Sequence, residues 1–272
     1  MPDQKPQAKY LKDYTPPDYL IETVDLTFDL YEDQCLVDSK LSCIRNETVQ
    51  GQTPFICMGR NLELKSIVLD GLLLSPDSYQ VDDEHLTIPN VPERFILDVQ
   101  TRSEPHKNTS LEGLYKSSGM FCTQCEAQGV RKITYFPDRP DVMSRYSTRI
   151  IADMKLYPVL LSNGNPVERG TSDSGRHWVK WEDPFRKPSY LFALVAGDLL
   201  SIEDTFVTKS ERTVKLQIFV EKENIDKCDH AMRSLKQSME WDERVYGREY
   251  DLDIFMIVAG NGFNMGAMEN KG

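Results

Sequence analysis

Histidine is scarce in this chain, with four in 272 residues, at His85, His106, His177 and His230. None stands in a His-Glu-x-x-His arrangement, so the sequence offers no helix-borne zinc pair with its own general base. Each histidine is expected as a surface or packing residue rather than a ligand. Long apolar runs are also missing, and the N-terminus Met1-Pro2-Asp3-Gln4-Lys5-Pro6-Gln7 lacks the apolar core of a secretory signal. The expected location is cytoplasmic. Basic residues are outnumbered, 32 Lys and Arg against 43 Asp and Glu for a formal charge of −11. That balance argues against nucleic acid or an anionic membrane as partner, since both need clustered cations, and it mildly favours cationic ligands. The six cysteines fall at irregular spacing, which reads as reduced thiols rather than a disulfide framework. The sequons at Asn46 and Asn108 are then chance matches. There is no internal repeat and no low-complexity tract.

What is present is a globular composition, 40% hydrophobic and 28% charged, with enough mass for one large domain or two. Residues 1 to about 20 are polar and proline-marked, an extended arm leading into the first strand. Val24, Leu26, Phe28 and Leu30 then alternate with Asp25, Thr27, Asp29 and Tyr31, which turns one face inward and the other to water. Further strands are expected at 35–44, 62–69, 85–88, 94–100, 147–156, 177–182 and 190–196. Turn chemistry stands at Asp70-Gly71, Pro76-Asp77, Pro89-Asn90 and Ser162-Asn163-Gly164-Asn165. Many short strands without helices between them imply a mainly β fold, a β-sandwich or saddle-like sheet domain.

The composition shifts after Tyr190–Leu199, and the expected boundary is near residue 198. Val214, Leu216, Ile218 and Val220 mark a strand that should pair with 205–209 across Ser210-Glu211-Arg212. A helix follows. Cys228, Met232, Leu235, Met239 and Tyr246 keep helical spacing, Asp226 and Asp229 sit in its first turn, Arg244 in its last, and Gly247 stops it. The apolar run Leu252–Val258 is short and rich in Ile, Phe and Val, as suits a buried strand covered on both faces. Strand, helix and strand open an α/β element, for which residues 199–272 are too few to make a self-sufficient domain.

That run enters a glycine-rich edge with Gly260, Gly262, Gly266 and Gly272, where missing side chains let another backbone approach. Glu269 is the one acid there. Either it is a solvated loop acid, or it takes a terminal ammonium while a peptide pairs along the edge. Cys122-Thr123-Gln124-Cys125 has the Cys-x-x-Cys spacing of a redox or zinc site, but no second pair stands at a fitting distance. The other reading is two ordinary thiols.

Gly266-Ala267-Met268-Glu269-Asn270 resembles the exopeptidase motif, GAMEN, of the aminopeptidase N family of zinc peptidases. The longer stretch Phe263–Gly272 resembles the bacterial alanyl aminopeptidase branch. Pro6–Tyr10, Leu111–Tyr115, Arg139–Met143, Leu160–Asn165 and Tyr190–Asp198 resemble the same branch, so the likeness runs through the chain. It implies a β-saddle domain over residues 1–198 and the start of a thermolysin-like catalytic domain over 199–272. It also implies that Gln124 and Glu126 line the first substrate pocket, that Met265 caps it, and that Gly266, Ala267, Met268 and Asn270 belong to the substrate-binding strip. Glu126 and Glu269 would then clamp the free amine of a peptide between two carboxylates in a partly dry pocket.

By the same resemblance the parent protein is a zinc metallo-aminopeptidase that removes N-terminal residues from peptides, with the rest of its catalytic domain as this chain's partner. The family's zinc motif is not in this sequence, so the chain is expected to be a fragment with no metal ligand and no catalytic residue of its own. Ala259-Gly260-Asn261-Gly262-Phe263 departs from the family pattern in lacking an acid shortly before Phe. The alternative is a non-enzymatic β-sandwich module whose glycine-rich strand docks a protein partner.

Overall fold

Val24, Leu26, Phe28 and Leu30 all lie inside the core of the computed structural model, on one face of a twelve-residue strand, β1 (Tyr19–Leu30). The structure describes residues 8, 10–49, 51–172, 174–261 and 265–271. Most of the segment 1–10, and Gly262, Phe263, Asn264 and Gly272 of the expected glycine-rich edge, lie outside the described residues.

After β1 come β2 (Cys35–Arg45), β3 (Phe55–Met58), β4 (Glu63–Leu69), β5 (Leu72–Leu73), β6 (Gln80–Val81), β7 (His85–Ile88) and β8 (Arg94–Ser103). The middle of the chain gives β9 (Gly113–Ser117), β10 (Met120–Gln124), β11 (Met143–Asp153), β12 (Val159–Ser162), β13 (Asn165–Thr171), β14 (Arg176–Pro188) and β15 (Leu194–Gly197). The last third holds β16 (Leu200–Val207), β17 (Thr213–Val220), the helix α1 (Asp229–Tyr246) and β18 (Ile254–Ala259).

The fold is mainly β, as expected. An eight-stranded sheet runs in the order β13-β14-β11-β1-β2-β8-β4-β5. In it β1 lies antiparallel to β2 and parallel to β11, so the chain returns to its first strand after more than a hundred residues. A four-stranded sheet β12-β15-β10-β9 and a three-stranded sheet β3-β7-β6 accompany it. Tyr19, Phe55 and Phe95 meet edge to face, and Phe28 stacks on Phe192. Such pairs add about 0.5–1.5 kcal/mol each beyond the area they bury.

Several expectations are corrected. The strand expected at 147–156 ends at Asp153, whose carboxylate accepts the N–H groups of Lys155 and Leu156 and turns the chain. The segment expected as strand 190–196 opens instead as a 3₁₀ turn over Ser189–Leu191, and pairing begins at Leu194. Tyr246 is exposed and lies edge-on to Trp241 rather than in the core, while Cys228, Met232, Leu235 and Met239 are buried. Asp226 falls in a 3₁₀ segment ahead of the helix, which leaves Asp229 in its first turn. Gly247 does stop the helix, at φ 63° in the left-handed region that suits glycine.

The three-stranded sheet β16-β17-β18 lies between two apolar clusters. β17 and β18 are parallel with α1 between them, the crossover that parallel pairing requires. Leu216, Ile218 and Val220 pack with α1 and with Phe255 and Ile257 of β18. Phe219, Met256 and Val258 face the other way, onto the large β core. β18 is thus covered on both faces as expected, but it is not fully buried, because Phe255–Val258 are half-exposed at the sheet edge.

Candidate functional site

Gln124 ends β10, between β9 and β15, and is 2% exposed. Its Nε2 donates to the Glu126 carbonyl at 3.5 Å, and its Oε1 is buried with no protein partner. The chain then turns over Cys125–Gly129, closed by the Gly129 N–H on the Cys125 carbonyl at 2.8 Å. A Cβ at Gly129 would stand 2.3 Å from the Gln124 carbonyl oxygen, so only glycine fits that turn. Glu126 projects from the turn and is exposed.

Cys122 and Cys125 are both buried. Burial pushes the Cys122 thiol up to about 11 and the Cys125 thiol well above its ordinary value, so both are held as neutral thiols. The reactive, metal-binding form of cysteine is the thiolate, and this environment disfavours it. Among the described residues no group of three or more His, Cys, Asp and Glu side chains is arranged to hold a metal ion. His177 hydrogen-bonds the Tyr157 carbonyl at 2.7 Å, and His85 sits beside Asp82.

The strip that carries the motif leaves the end of β18. A Cβ at Gly260 would lie 3.0 Å from Cε of Met120, so the strip begins against the first residue of β10. Asn261 donates its backbone N–H to Glu221 at 2.9 Å. Met265, Gly266, Ala267 and Glu269 are exposed, and Met268 and Asn270 are half-buried. At the far end, the Lys271 carbonyl accepts the side-chain amide of Asn163, and Lys271 Nζ lies 2.8 Å from Asp251 and 4.5 Å from the centre of the Phe185 ring.

Asn261 and Lys271, on either side of the motif, are therefore both tied to the rest of the fold. At the Lys271 end, Asn163 also accepts the Ala193 N–H at 2.8 Å, and the next residue, Leu194, donates its N–H to Thr123 Oγ1 at 2.8 Å. Thr123 precedes Gln124. Glu126 and Glu269 both lie exposed among the described residues. The sequence marks Ser162-Asn163-Gly164-Asn165 as a turn, and its hold on Lys271 emerges only in the fold. The two asparagines flanking a glycine were the available signal.

A family profile, the peptidase M1 N-terminal domain, matches residues 64–191. The chain is 54% identical over 267 residues to aminopeptidase N of Caulobacter vibrioides, covering 98% of this chain and 31% of that protein. It is 51% identical over 269 residues to aminopeptidase N of Escherichia coli, covering 99% of this chain and 30% of that protein. The crystal structure of Legionella pneumophila aminopeptidase A in complex with aspartic acid is similar with a TM-score of 0.92 at 36% identity. That match covers 97% of this chain and 31% of the Legionella chain. The chain spans about a third of the length of these relatives, and through its N-terminal domain it belongs to the peptidase M1 family of aminopeptidases.

Proposed function

We propose that this chain supplies the free-amine recognition half of a zinc aminopeptidase that removes N-terminal residues from peptides. The observation that carries the reading is that Asn261 and Lys271, on either side of the motif, are both tied to the fold, Lys271 through Asn163 to the segment bonded to Thr123 next to Gln124. In this reading residues 1–198 are the β-saddle domain, 199–272 begin a thermolysin-like catalytic domain, and Gly266–Asn270 is the exopeptidase motif. Gln124 turns its unpartnered Oε1 toward a substrate donor, Met265 caps the first pocket, and Glu126 and Glu269 share the ammonium.

An ammonium between two carboxylates gains charge-assisted hydrogen bonds, each of the order of 1.5–3 kcal/mol. An internal peptide bond offers no cation, and a covered carboxylate left unpaired costs several kcal/mol. Exopeptidase specificity follows from that difference. The exposed carboxylates would acquire their low-dielectric surroundings from the rest of the enzyme. The described residues include no set fit to hold the zinc, and no step through the metal is assigned to this chain. Six buried, unpaired cysteines fit a reducing compartment, so the reading extends to a cytoplasmic enzyme.

The test is Glu269→Gln in the full-length enzyme. The substitution keeps shape and one acceptor but removes a charge facing a cation. The specificity constant on an aminoacyl anilide should fall roughly 10²–10³-fold with zinc content unchanged. A loop acid without this role would change it less than about threefold, corresponding to about 0.5 kcal/mol, and near-parent activity would overturn the reading.

A further inference from the structure

We infer that the turn Asn163-Gly164-Asn165 is a positioning element that sets where the exopeptidase strip lies relative to Gln124. Asn163 is 5% exposed, and its whole amide is engaged. Nδ2 donates to the Leu191 carbonyl at 3.0 Å and to the Lys271 carbonyl, and Oδ1 accepts the Ala193 N–H. One side chain thus ties two backbones together. The first is the strip, two residues beyond Glu269. The second is the Leu191–Leu194 segment, which is bonded to Thr123 next to Gln124.

Asn165 holds the other end of the same stretch. Its Nδ2 donates to Asp253 Oδ2 at 3.0 Å and its Oδ1 accepts the Asp253 N–H at 3.2 Å, just before β18. Between the two asparagines, Gly164 has φ +86°, and a Cβ there would lie 2.1 Å from the Glu182 carbonyl oxygen. Glycine is required for the turn to lie flat on β14 with an amide on each side. Polar turns at a surface are usually solvated; this one spends both side chains on the segment that leads into and out of the motif.

Each residue spans at most about 3.3–3.6 Å, so Glu269 lies within two such steps of the Lys271 anchor and follows its displacement. A misplacement of about 1 Å in a binding group is enough to lose much of its effect. Asn163 touches no substrate in this scheme; it acts through Glu269 and Gln124.

The inference rests on the amine-recognition reading, and the test separates the two. In the full-length enzyme, Asn163→Asp keeps the acceptor for Ala193 and loses both donors. Because amine binding serves ground state and transition state alike, KM should rise roughly tenfold with kcat unchanged. A residue that merely stabilised the fold would lower the active fraction, so kcat would fall with KM unchanged, and that result overturns the inference. On a Glu269→Gln background the added change in KM should shrink below about twofold, because both alterations act through one carboxylate. If Glu269→Gln raises KM and Asn163→Asp does not, this inference alone fails. If Glu269→Gln leaves KM untouched, the underlying reading fails first. Should Asn163→Asp not accumulate as folded protein, Asn165→Ala is read by the same KM and kcat criterion, with an expected rise of roughly threefold.

Discussion

Lys187 Nζ lies 3.0 Å from Asp183 Oδ2 with the two side chains 1% and 0% exposed, in the same strand that cradles Gly164. Asp183 also accepts the Phe185 N–H at 3.1 Å, and Lys187 sits 4.0 Å from the centre of the Tyr146 ring. A buried pair of this kind adds little net stability over a well-packed apolar pair, yet removing one partner strands the other charge.

Lys187→Met should therefore destabilise the chain by about 3–5 kcal/mol, and Lys187→Met with Asp183→Leu by clearly less. Denaturant unfolding of the three chains measures this; equal losses for single and double variants would contradict it. A pH dependence accompanies the pair. Burial pulls Lys187 down to about 8 against an ordinary value of 10.5, so above pH 8 the unfolded chain holds the proton better. Stability contributed at this site then rises with pH across the window from about 8 to 10.5. Relative to Lys187→Met, the parent chain should gain about 2 kcal/mol between pH 7 and 9.5. Taking the difference between the two chains removes the opposite drift of the buried thiols and tyrosines.

All six cysteines are buried and unpaired. Cys35, Cys43, Cys57, Cys122 and Cys125 are all shifted toward the neutral thiol by burial. A thiol reagent should label the native chain slowly and label six groups after denaturation. Rapid native labelling of Cys122 and Cys125 would revive the redox reading of their spacing.

Gly164 and Gly71 form a matched comparison, because both have positive φ, +86° and +82°, but only Gly164 has backbone where a Cβ would go. Gly71→Ala should cost about 1–2 kcal/mol, the strain of the left-handed conformation alone. Gly164→Ala should cost more than about 3 kcal/mol, since the Glu182 carbonyl cannot give way cheaply. Thermal or denaturant unfolding compares them, and equal losses would show that the turn does not press on β14 as described.

Period-two alternation made β1 legible, because one face of that strand is core and the other is water. β17 was legible for the same reason, but its partner β16 runs over Leu200–Val207, starting earlier than the expected 205–209 and ending before Thr208. β9 and β10 were not. Met120–Gln124 is buried on both faces, so it carries no alternation to read. The α1 face was visible through Met232, Leu235 and Met239, whereas Tyr246 has the spacing without the burial. In the candidate site, the motif residues were found by resemblance, since Gly266 and Glu269 stand exposed in irregular backbone and leave no periodic trace. Asn163 and Lys271 are 108 positions apart, and a contact of that range is set by how the small sheet packs on the strip, which local pattern does not encode.

The central claim is that Glu126 and Glu269 serve one ammonium, and a double-mutant cycle in the full-length enzyme tests it most directly. Glu126→Gln and Glu269→Gln should each lower the specificity constant on an aminoacyl anilide roughly 10²–10³-fold, and the double variant should lose less than the product of the two. Full multiplicative loss, or a Glu126→Gln enzyme with parent activity, would contradict the account.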